Sequence, residues 1–146
     1  MNLKLLSCSV FILVLNSCSQ PTESAETTGQ VPPEQAAFPI KMLTSQEAKA
    51  LLAKQPEIAL LDVRTDEEYA GGHLQEATNL DYKAPDFAAR LSKLDKAKPY
   101  LVYCAVGGRS SKATKLMHEM GFINVYNATE GFNQLKEAGI PVANLH

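Results

Sequence analysis

Cys104 is followed by Ala105-Val106-Gly107-Gly108-Arg109-Ser110. A thiol ahead of two glycines and an arginine can do nucleophilic chemistry, provided that it is ionised, because the thiolate is the attacking species. Glycines let the backbone turn tightly and bring N–H groups together. Successive N–H groups in such a turn form a nest for an anion. A helix starting near Arg109 adds partial positive charge at its N-terminus. Each of these lowers a thiol's pKa, so Cys104 is expected to be reactive at neutral pH. A lone cysteine closing a buried strand is otherwise an inert small hydrophobe. The Gly-Gly loop and the following arginine favour the reactive reading.

The loop needs a strand before it and a helix after it, and the pattern supplies both. Tyr100-Leu-Val-Tyr-Cys104 reads as a buried strand. Arg109 to Met120 carries Ala113, Leu116, Met117 and Met120 at helical spacing, with Gly121 just past the end. The same alternation runs through the body. A short strand at Ile40–Leu43 precedes a helix capped by Thr44-x-x-Glu47 and running to about Lys54. Ile58 to Val63 is a nearly continuous apolar run, as in a strand buried on both faces. A short polar helix follows at Asp66–Ala70, then a brief strand at Ala77–Leu80. Phe87, Leu91 and Leu94 mark a further helix. A strand at Phe122–Tyr126 leads to a last helix bearing Phe132, Leu135 and Ala138. Such alternation predicts an α/β fold, a central mostly parallel sheet with helices on both faces. Ligands then bind at the carboxyl ends of the strands, which points to Asp62, Arg64 and Cys104.

The chain has 146 residues, 45% hydrophobic, with 14 Lys+Arg against 16 Asp+Glu. That composition excludes collagen-like and wholly disordered classes. A near-neutral charge gives no general pull toward nucleic acid, so no nucleic-acid partner is expected. The charge is unevenly spread. Residues 19–39 hold three acids and no base, whereas residues 40–146 hold 13 of each. Leu5–Leu15 is an apolar run of 11 residues behind Lys4, too short to span a bilayer and of signal-peptide length. Leu15-Asn16-Ser17-Cys18 then resembles the lipobox of bacterial lipoproteins, with Asn16 a departure from the commonest boxes. The expected organisation is a signal peptide over 1–17, a lipidated Cys18 opening a disordered tether over 18–39, and one domain over 40–146. Free secretion and an uncleaved anchor are the alternatives. A lipid-anchored chain would face the periplasm of a bacterial cell envelope, with the membrane as a partner through its acyl chains. Cys104 would then be the free thiol of the mature chain.

The body also resembles the rhodanese domain of sulfurtransferases, over roughly Leu43 to Val142. Three stretches carry the resemblance: Leu61-Asp62-Val63-Arg64 with Glu67-Glu68-Tyr69, Gly72-His73-Leu74 and Ala77-x-Asn79-Leu80; the Cys104-x-x-Gly107-x-Arg109-Ser110 loop; and Gly131-Phe132. The resemblance implies a rhodanese-like fold and transfer of a sulfane sulfur, from thiosulfate or a similar small anion to a thiol or cyanide acceptor. Cys104 would attack the outer sulfur and carry it as a persulfide. Residues Ala105, Val106, Gly107, Gly108, Arg109 and Ser110 would cradle it, and Asp62 and Arg64 would support the mouth. No metal or organic cofactor is implied. A sulfur carrier that delivers to a partner protein, with little turnover on thiosulfate, is the alternative. Ala105 favours it, standing where many members have Arg or Lys. Glu76, Glu130 and Leu135 are further departures. Phosphatases with a C-x5-R loop are related, but Cys104 to Arg109 is one residue shorter, a cradle that by resemblance suits sulfur rather than phosphate.

The other polar residues read mainly as braces. Arg64 is expected to pair with Glu67 or Glu68. His73 is expected to hydrogen-bond a loop, since an ionised thiol needs no base. Arg109 has two readings of equal weight: its side chain lends positive potential, or it folds back onto a carboxylate and only its N–H serves the loop.

Overall fold

A computed structural model describes residues 39–143. The expected signal peptide, Cys18 and nearly all of the tether lie outside the described residues. The chain runs β1 (Lys41–Leu43), α1 (Ser45–Lys54), β2 (Ala59–Asp62), α2 (Asp66–Ala70), β3 (Thr78–Asn79), α3 (Phe87–Leu91), β4 (Tyr100–Tyr103), α4 (Gly108–Glu119), β5 (Val125–Ala128) and α5 (Phe132–Glu137). Among the described residues the strands form one sheet in the order β1-β5-β4-β2-β3. Each neighbouring pair is parallel. Among these residues no helix is long and apolar enough to cross a membrane.

The sheet buries both faces, as the continuous apolar runs predict. Along β4, Tyr100 and Val102 join Cys104 in one core cluster, with Ala113 and Met117 of α4 and Phe87 and Leu91 of α3. Leu101 and Tyr103 point the other way, into a second cluster with Ala48 of α1 and Leu135 of α5. Each fully buried Leu or Val contributes on the order of 2 kcal/mol, so β4 is held firmly from both sides. α4 leaves β4 for one face and α5 leaves β5 for the other, so the loops after these two strands meet at the carboxyl end of the sheet, the end where ligands of open parallel sheets bind.

Helix starts follow the sequence closely. Thr44 and Glu47 form the expected capping box on α1. Thr65 and Glu68 form a second on α2. One strand is displaced. Residues 122–126 are predicted as extended, but β5 begins only at Val125. Gly121 takes a left-handed backbone (φ 86°). The Phe122 amide then donates to the Met117 carbonyl (3.1 Å) and the Gly121 amide to that of His118 (3.0 Å), the six-to-one and five-to-two bonds that close a helix. Phe122 therefore packs back on α4 as its apolar cap, and the strand starts later.

Candidate active site

The loop that leaves β4 is short because Gly107 turns it. Gly107 has φ 85° and N-caps α4 with no side-chain cap. The first amides of α4 are thus left to whatever lies in the loop's hollow, and the Cys104 sulfur lies there. The Gly107 N–H donates to Sγ at 3.1 Å. Burial pushes the thiol's pKa up. The Ser110 amide and hydroxyl, then the Val106 and Arg109 amides, outweigh it and leave the thiol below its ordinary value. The Ser110 hydroxyl also reaches the Gly107 carbonyl (3.0 Å), so its one proton serves either the loop or the sulfur. Cys104 is only 1% exposed, whereas Val106 at the loop tip is 80% exposed. A donor therefore meets the sulfur with a slim terminal atom, not a bulky group.

A second turn clasps the first. Gly131 has φ 87°, and a Cβ there would sit 2.0 Å from the Ala105 carbonyl oxygen. A Cβ on Gly107 would sit equally close to the Thr129 carbonyl. The Phe132 amide donates to the Cys104 carbonyl at 2.8 Å. The β5–α5 turn thus holds the thiol loop through backbone contacts that only glycine permits at these two points. Thr129 and Gly131 are absent from the site residues expected from sequence. Gly131 ahead of a helix was the available signal, but its partner across the sheet is not encoded locally.

Asp62 and Arg64 lie beside this clasp as a buried bidentate pair, with Arg64 Nη2 2.6 Å from Asp62 Oδ2 and Nε 3.0 Å from Oδ1. Arg64 Nη2 also donates to the Gly72 carbonyl (2.6 Å), and its guanidinium lies 4.1 Å from the centre of the Phe132 ring. Asn79 Nδ2 donates to the carbonyls of both Asp62 and Arg64. The expected pairing of Arg64 with Glu67 or Glu68 is therefore corrected. Asp62, two residues back along an extended segment, projects to the same side and captures the guanidinium first. Glu68 goes instead to Arg109: Nη1 and Nη2 meet its two carboxylate oxygens at 2.5 and 2.8 Å. That contact draws the Glu68 carboxyl down to about 2. The Arg109 side chain thus folds back onto a carboxylate, while its charge still acts on Cys104. His73 stacks on Tyr69 (3.7 Å) and sets Nδ1 3.0 Å from the Tyr69 carbonyl, as a loop-bracing residue would.

Among the described residues no cluster of His, Cys, Asp or Glu is arranged to hold a metal ion. A cleft of about 610 Å³ lies at the amino ends of the strands, lined by Leu52, Ile58, Ile140 and Lys98. It is at the opposite pole from Cys104 and shares no residue with the thiol loop.

A parallel α/β sheet with an amide-lined thiol at the carboxyl end of a central strand defines the class, and the comparisons define the family. Residues 44–138 match the Rhodanese-like domain family, and the chain belongs to it. It is 34% identical over 97 residues to Thiosulfate sulfurtransferase GlpE of Coxiella burnetii, a match covering 66% of this chain and 87% of that protein. It is 35% identical over 91 residues to Thiosulfate sulfurtransferase 16, chloroplastic, of Arabidopsis thaliana, covering 56% and 76%. The solution structure of the rhodanese-like domain of an Anabaena protein superposes with a TM-score of 0.63 at 28% identity, covering 70% of this chain and 78% of that one.

Proposed function

We propose that the chain is a sulfurtransferase that moves a sulfane sulfur from thiosulfate, or a donor like it, to a thiophilic acceptor through a persulfide on Cys104. The observation that carries the reading is the amide-lined sulfur: Gly107 N–H at 3.1 Å, with the thiol held below its ordinary pKa. The thiolate attacks the donor's outer sulfur. The donor's S–S bond breaks, and sulfite leaves with the bonding pair. The new terminal sulfur stays near the same donors, which stabilise negative charge without reorganising. An acceptor thiolate or cyanide then takes that sulfur, and Cys104 recovers its electron pair. Two relatives named thiosulfate sulfurtransferases support the reading. Exposure to thiosulfate should add the mass of one sulfur atom to the Cys104 peptide, and Cys104→Ala should remove both adduct and turnover. An adduct-free Cys104 after such exposure refutes the proposal.

A carrier with slow thiosulfate turnover is the second reading. The observation favouring it is that Arg109 is paired with Glu68 and the loop holds no other cation. A stable adduct with little cyanide turnover would select it. We further propose that Cys18 is lipidated and anchors the domain to the bacterial cell envelope, on the strength of the Leu15–Cys18 sequence.

A further inference from the structure

The domain's neutral total hides a polar arrangement. Because the sheet is parallel, strand ends and helix starts share one pole, where Cys104 lies. The loops leaving the strands, the strand ends and the first three residues of each helix carry eight carboxylates and three cations. Two of those cations are already spent: Arg64 on Asp62 and Arg109 on Glu68. What remains is Glu47, Asp66, Glu67, Asp81, Asp86 and Glu130 against Lys83 alone, and all but the half-buried Asp81 are exposed. The opposite pole carries seven cations against five carboxylates. Acids at helix starts and bases at helix ends suit the helix dipoles: Glu47 and Glu130 accept from the Thr44 and Ser45 amides at the start of α1, and Asp66 and Glu67 open α2, yet with Asp81 and Asp86 they leave this pole net negative. Two of them adjoin the thiol loop. Asp81 acts electrostatically on Arg109, and Glu130 precedes Gly131, which backs onto Ala105.

Resting on the sulfurtransferase reading, we propose that the acceptor is a cysteine in a basic protein segment, drawn to this acidic face and seated on Val106. Fields of this kind change encounter rates by about ten-fold to a thousand-fold and are screened by salt. Val106 supplies what a small thiol does not need, an apolar contact 80% exposed at the loop tip. The acceptor thiolate attacks the outer sulfur of the Cys104 persulfide. A sulfur–sulfur bond forms on the acceptor, the bond to Sγ breaks, and its electron pair returns to Cys104. No oxidant or reductant is consumed.

The test loads the full chain with sulfur from thiosulfate and verifies the Cys104 adduct by mass. Single-turnover transfer is then followed to two hexapeptides, one cysteine flanked by lysines and one flanked by glutamates. The lysine peptide should react at least ten-fold faster at low salt. The ratio should fall below three at high salt and in the acidic-face variant Asp66→Asn/Asp81→Asn/Asp86→Asn, whose circular dichroism reports its folding. Equal rates, a reversed ratio, or a preference that survives both salt and the variant overturns the proposal. Failure to load Cys104 at all refutes the sulfurtransferase reading itself, and the acceptor proposal with it.

Discussion

Replacing Gly131 by alanine would place a methyl carbon 2.0 Å from the Ala105 carbonyl oxygen and 2.4 Å from its carbon. An ordinary contact of this type is near 3.5 Å, so the thiol loop or the β5–α5 turn must yield by more than about 1 Å. Gly131 also has φ 87° with ψ −175°, a backbone region essentially reserved for glycine and costing other residues about 1–3 kcal/mol. Strain and displacement together should cost about 2–4 kcal/mol, within the range of the most damaging single substitutions. For a domain of this size that lowers Tm by about 10–25 °C. Activity should fall further than stability implies. A displacement of about 1 Å at a reacting group costs about a hundred-fold, and the moved atoms adjoin the donors to Sγ. The assay is thiosulfate:cyanide turnover at a temperature where circular dichroism shows the variant folded. Gly121→Ala is the control. It has a similar φ of 86° but nothing within 4 Å of the added carbon, so it should lose stability and keep its rate. A folded Gly131→Ala protein with wild-type turnover would refute the clasp.

Arg64→Ala removes the partner of a fully buried carboxylate and the contact on Phe132. Breaking such a pair costs about 3–5 kcal/mol, which urea unfolding should register, while Arg64→Lys should rescue only part because it lacks the bidentate fork. Glu68→Gln should cost only about 0.5–1 kcal/mol, since the pair with Arg109 is partly solvent-screened. Its pH dependence has a definite sign. The Glu68 carboxyl is drawn down to about 2, so the stability it contributes is complete above its unfolded value of about 4.3 and disappears as pH falls toward 2. The difference between wild type and Glu68→Gln should therefore vanish in strong acid. Cys18→Ser should abolish incorporation of labelled palmitate, and unchanged labelling would remove the lipid anchor.

The thiol loop is legible in the sequence because its chemistry is local. Cysteine, glycines and a helix start within seven residues specify a turn of amides around one sulfur. The buried strands are legible too, because Leu101 and Tyr103 alternate with Val102 and Cys104 in an unbroken apolar run. The destination of each guanidinium is not. Arg64 could reach several carboxylates within four residues, and Asp62 wins through backbone direction, which only the folded strand end fixes. Arg109 finds Glu68 41 residues away, a pairing set by the adjacency of β4 and β2. The start of β5 is misread because Phe122 and Ile123 look like strand residues. Helix closure at Gly121 takes Phe122 first. The acidic pole needs the parallel topology as well: a charge count over 40–146 gives zero, and only the strand directions sort the carboxylates to one end.

The most direct test of the account is the pH profile of Cys104 alkylation, resolved peptide by peptide by mass spectrometry in the full chain. The amide cradle predicts a half-rise below that of an unperturbed thiol, shifting upward in Gly131→Ala. A half-rise at or above that value would mean that burial outweighs the N–H donors, and that the loop does not hold its sulfur as an anion.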